Sequence, residues 1–163
     1  MKYCILLFTA ALLISCFGTE PQKTGKEGKP MPSFSLLSLD STTWINSKDF
    51  PIGKPTVMFY FSPYCPHCKA QTKQIVQEID ELKNIQFYFI SSYSLAEVKA
   101  YANEFQLAKY PNVTTALDSA SFINDYFEIP GFPYFAIYGK DKKLNKSFLG
   151  KLYISQILKA ADE

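Results

Sequence analysis

The sequence predicts an α/β domain with a mixed central sheet flanked by helices. Three observations carry that reading. Segments with strand-like apolar runs alternate with segments whose apolar residues recur every three to four positions. One run, residues 55–61, is apolar and β-branched almost throughout, as a strand in the middle of a covered sheet requires. The chain has 163 residues and is 47% hydrophobic, which suits one globular core and excludes a disordered polymer.

The elements follow in order. Residues 34–39 read as a first strand, with a loop at 40–43, and residues 55–61 as the central strand. Residues 66–82 read as a helix: Pro66 suits its first turn, and Cys68, Thr72, Ile75, Ile79 and Leu82 share one face. A second strand follows at 85–90. Ser94 and Glu97 then have the spacing of a capping box, and Val98, Tyr101, Ala102 and Phe105 continue at helical spacing. Residues 113–117 read as a short strand, Asp118 as the cap of a brief helix through Tyr126, and residues 129–138 as a Pro-rich turn entering a strand. A polar turn at 139–143, a strand at 144–149 and a helix at 154–161 complete the domain, which is placed at residues 31–163.

Upstream, one lysine precedes an apolar run from Tyr3 to Ile14, too short to span a ~30 Å hydrocarbon core comfortably. Leu13-Ile14-Ser15-Cys16 resembles the lipobox of bacterial lipoproteins. That resemblance implies a signal peptide over residues 1–15 and acylation of Cys16, hence a lipid-anchored protein of the cell envelope on the periplasmic side. Residues 16–30 lack large apolar side chains beyond Phe17 and are rich in Gly, Pro, Lys and Glu, so they read as the anchor followed by a flexible spacer.

Net charge is +2, and all 17 basic residues are lysine. Nothing suggests a nucleic-acid partner, and bidentate arginine clamps for phosphate or carboxylate are excluded. With Cys4 leaving in the signal and Cys16 acylated, the remaining thiols are Cys65 and Cys68 of Cys65-Pro66-His67-Cys68. Cys65 falls where a buried strand meets a helix starting at Pro66, and unpaired N–H groups and the helix dipole there favour a thiolate. Cys65 is thus the expected nucleophile and Cys68, a turn further in, the resolving thiol. His67 is expected to offer Cys65 a hydrogen bond or a charge. A closed zinc site wants four ligands and His67 is the only histidine, so no metal or other cofactor is expected. A purely structural crosslink would close too small a loop to add much stability.

From about residue 31 onward the chain resembles the thioredoxin superfamily, in particular its TlpA-like envelope thiol–disulfide oxidoreductases. The strand–CPHC–helix at 56–82 carries the resemblance, with Gly131-Phe132-Pro133 ahead of a strand and an extra strand and helix at 85–117. It implies a thioredoxin-like fold with a strand–helix insertion and a cis Pro133 that sets the Phe132 backbone beside Cys65 to bind substrate. It also implies client proteins with disulfides or thiols and a membrane electron-transfer partner. The chain departs from the pattern at Phe59, where thioredoxins keep a buried aspartate, and at Gln71, where many TlpA-like reductases have glutamate.

The direction of electron flow is expected to be reductive, from the insertion, although Pro-His is also the dipeptide of DsbA-like oxidants. Two other readings stand beside it. A thiol peroxidase would resemble this architecture, but Met58 replaces its motif proline and no arginine is present to hold a peroxide. A copper-binding lipoprotein would use the two soft thiolates.

Overall fold

The computed structural model describes residues 18–163. Its strands are β1 (Pro21–Gln22), β2 (Ser35–Ser38), β3 (Trp44–Asn46), β4 (Thr56–Tyr60), β5 (Gln86–Ser91), β6 (Val113–Leu117), β7 (Tyr134–Tyr138) and β8 (Leu144–Leu149). Its α-helices are α1 (Pro66–Gln77), α2 (Leu95–Glu104), α3 (Phe122–Phe127) and α4 (Ile154–Asp162). The strands form one mixed sheet in the order β1-β8-β7-β4-β5-β6-β2-β3. β4 pairs parallel with β5 and antiparallel with β7, and β5 pairs parallel with β6.

β4 is wholly buried because both faces of the sheet are covered. Val57, Phe59 and Phe61 pack with Cys68 and Ile75 of α1, Val98 and Tyr101 of α2, and Ile154 and Ile157 of α4. Met58 and Tyr60 face the other way, onto Phe34, Phe50, Ile123 and Phe127. A strand covered on both sides needs apolar residues at every position, which is why residues 55–61 show no alternation.

The structure departs from the sequence reading in three places. α1 ends at Gln77, about a turn short of Leu82. Beyond it Glu81 N–H bonds the Glu78 carbonyl and Leu82 N–H the Ile79 carbonyl, tight turns that tuck Leu82 fully into the core. β3 was not expected: three residues, paired antiparallel with β2 and partly exposed, leave no periodic signal. The third correction concerns the flexible spacer. Residues 18–30 form a strap along the outer edge of β8. β1 pairs antiparallel with β8 at Pro21–Phe148 and Gln22–Ser147, Gly28 N–H bonds the Leu144 carbonyl, and Leu144 N–H bonds the Lys29 carbonyl. These bonds are backbone to backbone, so they need no apolar side chains, and composition cannot reveal them.

The expected caps are present. Ser94 and Glu97 close a reciprocal box at the start of α2. The Asp118 carboxylate accepts from the N–H groups of Phe122 (2.9 Å) and Ile123 (2.8 Å) at the start of α3.

Candidate active site

Cys65 caps α1. Phe61 N–H extends the β4 pairing to the Ile90 carbonyl, and Cys65 N–H then closes a turn onto the Ser62 carbonyl. Cys65 takes extended backbone angles, Pro66 opens the helix, and Lys69 N–H makes the first helical bond back to the Cys65 carbonyl. The Cys65 sulfur accepts from Cys68 N–H at 3.3 Å, the place usually filled by a Ser or Asp oxygen. A negative sulfur there faces the positive end of the helix. Cys65 is half-buried, Cys68 is fully buried, and both are free thiols.

The surroundings of Cys68 are apolar. Phe59 packs against Phe89 and Phe135, with ring centres 4.9 Å away in each case, and against Phe61. Burial in this environment pushes the Cys68 thiol well above its ordinary range. Two buried polar side chains follow it on α1. Thr72 Oγ1 and Tyr101 OH share a hydrogen bond of 2.6 Å, while the Tyr101 ring stacks on Phe61 at 4.2 Å. Gln71 clamps Leu152, its Nε2 donating to the carbonyl (3.1 Å) and its Oε1 accepting from the N–H (2.7 Å).

The loop before β7 forms the opposite wall. The Phe132–Pro133 peptide bond is cis, as the resemblance implies. The Phe132 carbonyl lies 3.7 Å from the Cys65 sulfur, which donates to it as a thiol. Gly150 N–H holds the Pro133 carbonyl at 2.8 Å. The Phe132 ring stacks on Tyr60 at 5.9 Å, and Tyr60 OH donates toward buried Asp118 at 3.4 Å. Burial raises both Tyr60 and Asp118 above their usual ranges.

A family model described as AhpC/TSA family matches residues 28–146. The chain belongs to that family. No curated protein matches it in sequence. Among solved structures it is similar to a secreted Mycobacterium tuberculosis disulfide oxidoreductase homologous to E. coli DsbE, at 20% identity and TM-score 0.62, covering 78% of this chain and 91% of that one. StoA from Bacillus subtilis aligns at 15% identity and TM-score 0.61, covering 79% and 96%. The exposed lipoprotein thioredoxin of Streptococcus pneumoniae aligns at 19% identity and TM-score 0.64, covering 78% and 96%. The fold is thioredoxin-like.

In this AhpC/TSA chain Cys65 and Cys68 meet at the start of α1, whose first residue is the exposed Pro66, and Phe132, one residue before Pro133, brings its carbonyl to the Cys65 sulfur. His67 does not join them: its side chain is exposed, and the sulfur's partners are the Cys68 N–H and the Phe132 carbonyl. His67 and Cys68 are the second and third residues of α1, about 100° apart around the helix, so when Cys68 faces the core His67 is turned away from it. Cys16 and the signal region lie outside the described residues. Among the described residues no group of three or more His, Cys, Asp or Glu is arranged to hold a metal, and no helix is long and apolar enough to cross a membrane. Sequence reading missed the Gln71 clamp, the Thr72–Tyr101 pair and the Asp118–Tyr60 support. The apolar face of α1 includes Thr72, but nothing in the spacing says which loop or helix meets it.

Proposed function

We propose that the protein is an envelope thiol–disulfide oxidoreductase that reduces client disulfides with Cys65 and Cys68 and is anchored by lipid at Cys16. The observation that carries the reading is the Cys65 sulfur: half-buried, capping a helix, and 3.7 Å from the Phe132 carbonyl at the edge of an open loop. The Cys65 thiolate attacks one sulfur of a client disulfide. A mixed disulfide forms and one client thiolate leaves. The departed client thiolate takes up the Cys68 proton, and the Cys68 sulfur attacks the Cys65 sulfur; the Cys65–Cys68 bond forms and the second client thiolate leaves. Two electrons pass from the dithiol to the client, and the oxidised pair needs a reductant, which a membrane electron-transfer partner would supply. The extended client segment would lie against the Phe132 backbone. The names of the M. tuberculosis and S. pneumoniae neighbours, an oxidoreductase and a lipoprotein, agree with this reading.

A second reading, disulfide formation, is favoured by the Pro66-His67 dipeptide. Equilibration of the purified domain in glutathione buffers separates the two. A potential below about −180 mV is expected for the reductase, whereas one near −120 mV would make the protein an oxidant. Cys68→Ser should accumulate a mixed disulfide with a client, and Cys65→Ser should form none. A peroxidase is disfavoured because no arginine exists to hold a peroxide, and hydroperoxide turnover by the dithiol would revive it. Stoichiometric copper uptake without insulin reduction would favour the copper-binding reading.

A further inference from the structure

The strap ends where the dithiol site begins. Three consecutive residues hold three different elements. Gly150 N–H bonds the Pro133 carbonyl, the Lys151 carbonyl accepts from Thr19 Oγ1 at 2.6 Å, and Leu152 is clamped by Gln71 of α1. Gln156 Nε2 adds a bond of 2.9 Å to the Thr19 carbonyl. Gly18 sits so close to α4 that an added Cβ would lie 2.7 Å from Gln156 Nε2. The chain therefore joins the body at Gly18, beside the junction that supports both walls of the site.

Cys16 is two residues upstream, so an acyl anchor there has a tether of about 7 Å at full extension. The folded body has a radius of gyration of about 15 Å. A loose segment from 16 to 30 would have reached about 50 Å and let the body turn freely; the docked strap removes that freedom. A tether shorter than the body's radius keeps its attachment face against whatever holds the anchor.

We propose that the face around Gly18, Thr19, Lys151 and Tyr153 rests on the lipid bilayer surface. The proposal rests on the lipid anchor at Cys16 named above. The surface chemistry fits: Tyr153 is 55% exposed, with an apolar ring and a polar tip suited to the headgroup zone, and exposed Lys151 brings positive charge to anionic headgroups. Exposed Glu20 opposes that charge, so the tether and Tyr153, more than electrostatics, set the contact. The opposite edge of the sheet is β3, where Trp44 is 59% exposed. Seven strand spacings separate the edges, about 33 Å.

Trp44 is the chain's only tryptophan, so it reports on the far edge directly. The protein acylated at Cys16, with residues 1–15 removed, is placed in phosphatidylcholine–phosphatidylglycerol vesicles carrying a nitroxide-headgroup lipid. Trp44 fluorescence should change little. In a Trp44→Phe background, Tyr153→Trp and, independently, Lys151→Trp should each lose roughly half their emission or more, because they lie on the anchored side, just after β8 and six strand spacings (about 28 Å) from β3. If the protein floats with the vesicles while Trp44 is quenched as strongly as the other two reporters, or neither of those is quenched, the orientation is wrong and the anchor stands. If the acylation reaction leaves the protein unmodified and it fails to float, the anchor and the orientation fall together.

Discussion

On the dithiol helix, buried Gln71 holds both polar groups of the Leu152 peptide, and an amide suits this site where a carboxylate does not. The Leu152 peptide group asks for both a donor and an acceptor, and ionised glutamate only accepts. Gln71→Glu should therefore leave the Leu152 carbonyl unsatisfied and bury a charge, at a cost of about 2–3 kcal/mol. A fall in thermal midpoint of roughly 5–10 °C at neutral pH is expected. Burial raises the pKa of the introduced carboxyl, so the loss should shrink on acidification, when the protonated group donates again. Equal midpoints for Gln71→Glu and the parent at pH 7, by circular dichroism, would remove the clamp from the account. Cys65, Cys68 and Pro66 were legible because their chemistry lies in a four-residue spacing. Gln71 was legible only as an odd residue, since its partner is 81 positions away and meets it only once α1 and the 150–153 loop are packed.

At the scale of elements, two turns hold carboxylates whose charge the fold uses. Glu27 closes the strap's turn, accepting from Thr24 N–H and Oγ1, and the Thr24 backbone bond chiefly lowers its pKa to about 2. Asp40 closes the β2–β3 turn, and its bonds from the Thr43 hydroxyl and the Thr43 and Thr42 N–H groups lower it to about 2. Both folded-state pKa values lie below the unfolded ones, so their stabilisation is complete above about pH 5 and is lost as pH falls toward 2. Asp118 runs the other way: burial raises its pKa, so its charge weighs against the folded state once pH passes that value, and protonation relieves it. The thermal midpoint should fall between pH 4 and pH 2, and Glu27→Gln with Asp40→Asn should flatten that fall. Asp118→Asn should make it steeper. An unchanged acid profile in the double variant would show that these turns do not control it. The capping box of α2 and the cap of α3 were readable because each joins residues a few positions apart. The early end of α1 was not, because Leu82 follows the core rather than the helical period.

For the molecule as a whole, the α/β layering was legible because a sheet covered on both faces writes itself into residues 55–61. The strap was not, because its pairing with β8 uses peptide groups that every sequence possesses, and its side-chain ties, Thr19 to Lys151 and Gln156 to Thr19, join residues 132 and 137 positions apart. Site and stability meet in one atom. As a free thiol or thiolate, the Cys65 sulfur closes the first turn of α1 by accepting from Cys68 N–H. Bonded to Cys68, it would be a neutral and poorer acceptor, and that turn would lose part of its closure. A helix cap is worth about 1 kcal/mol. Because the free energy separating the two redox forms is also the free energy of reduction, such a difference moves the couple by about 20 mV toward the oxidising side. Unfolding resistance and electron affinity are then two readings of the same balance, and a substitution that relaxes the start of α1 should displace both together.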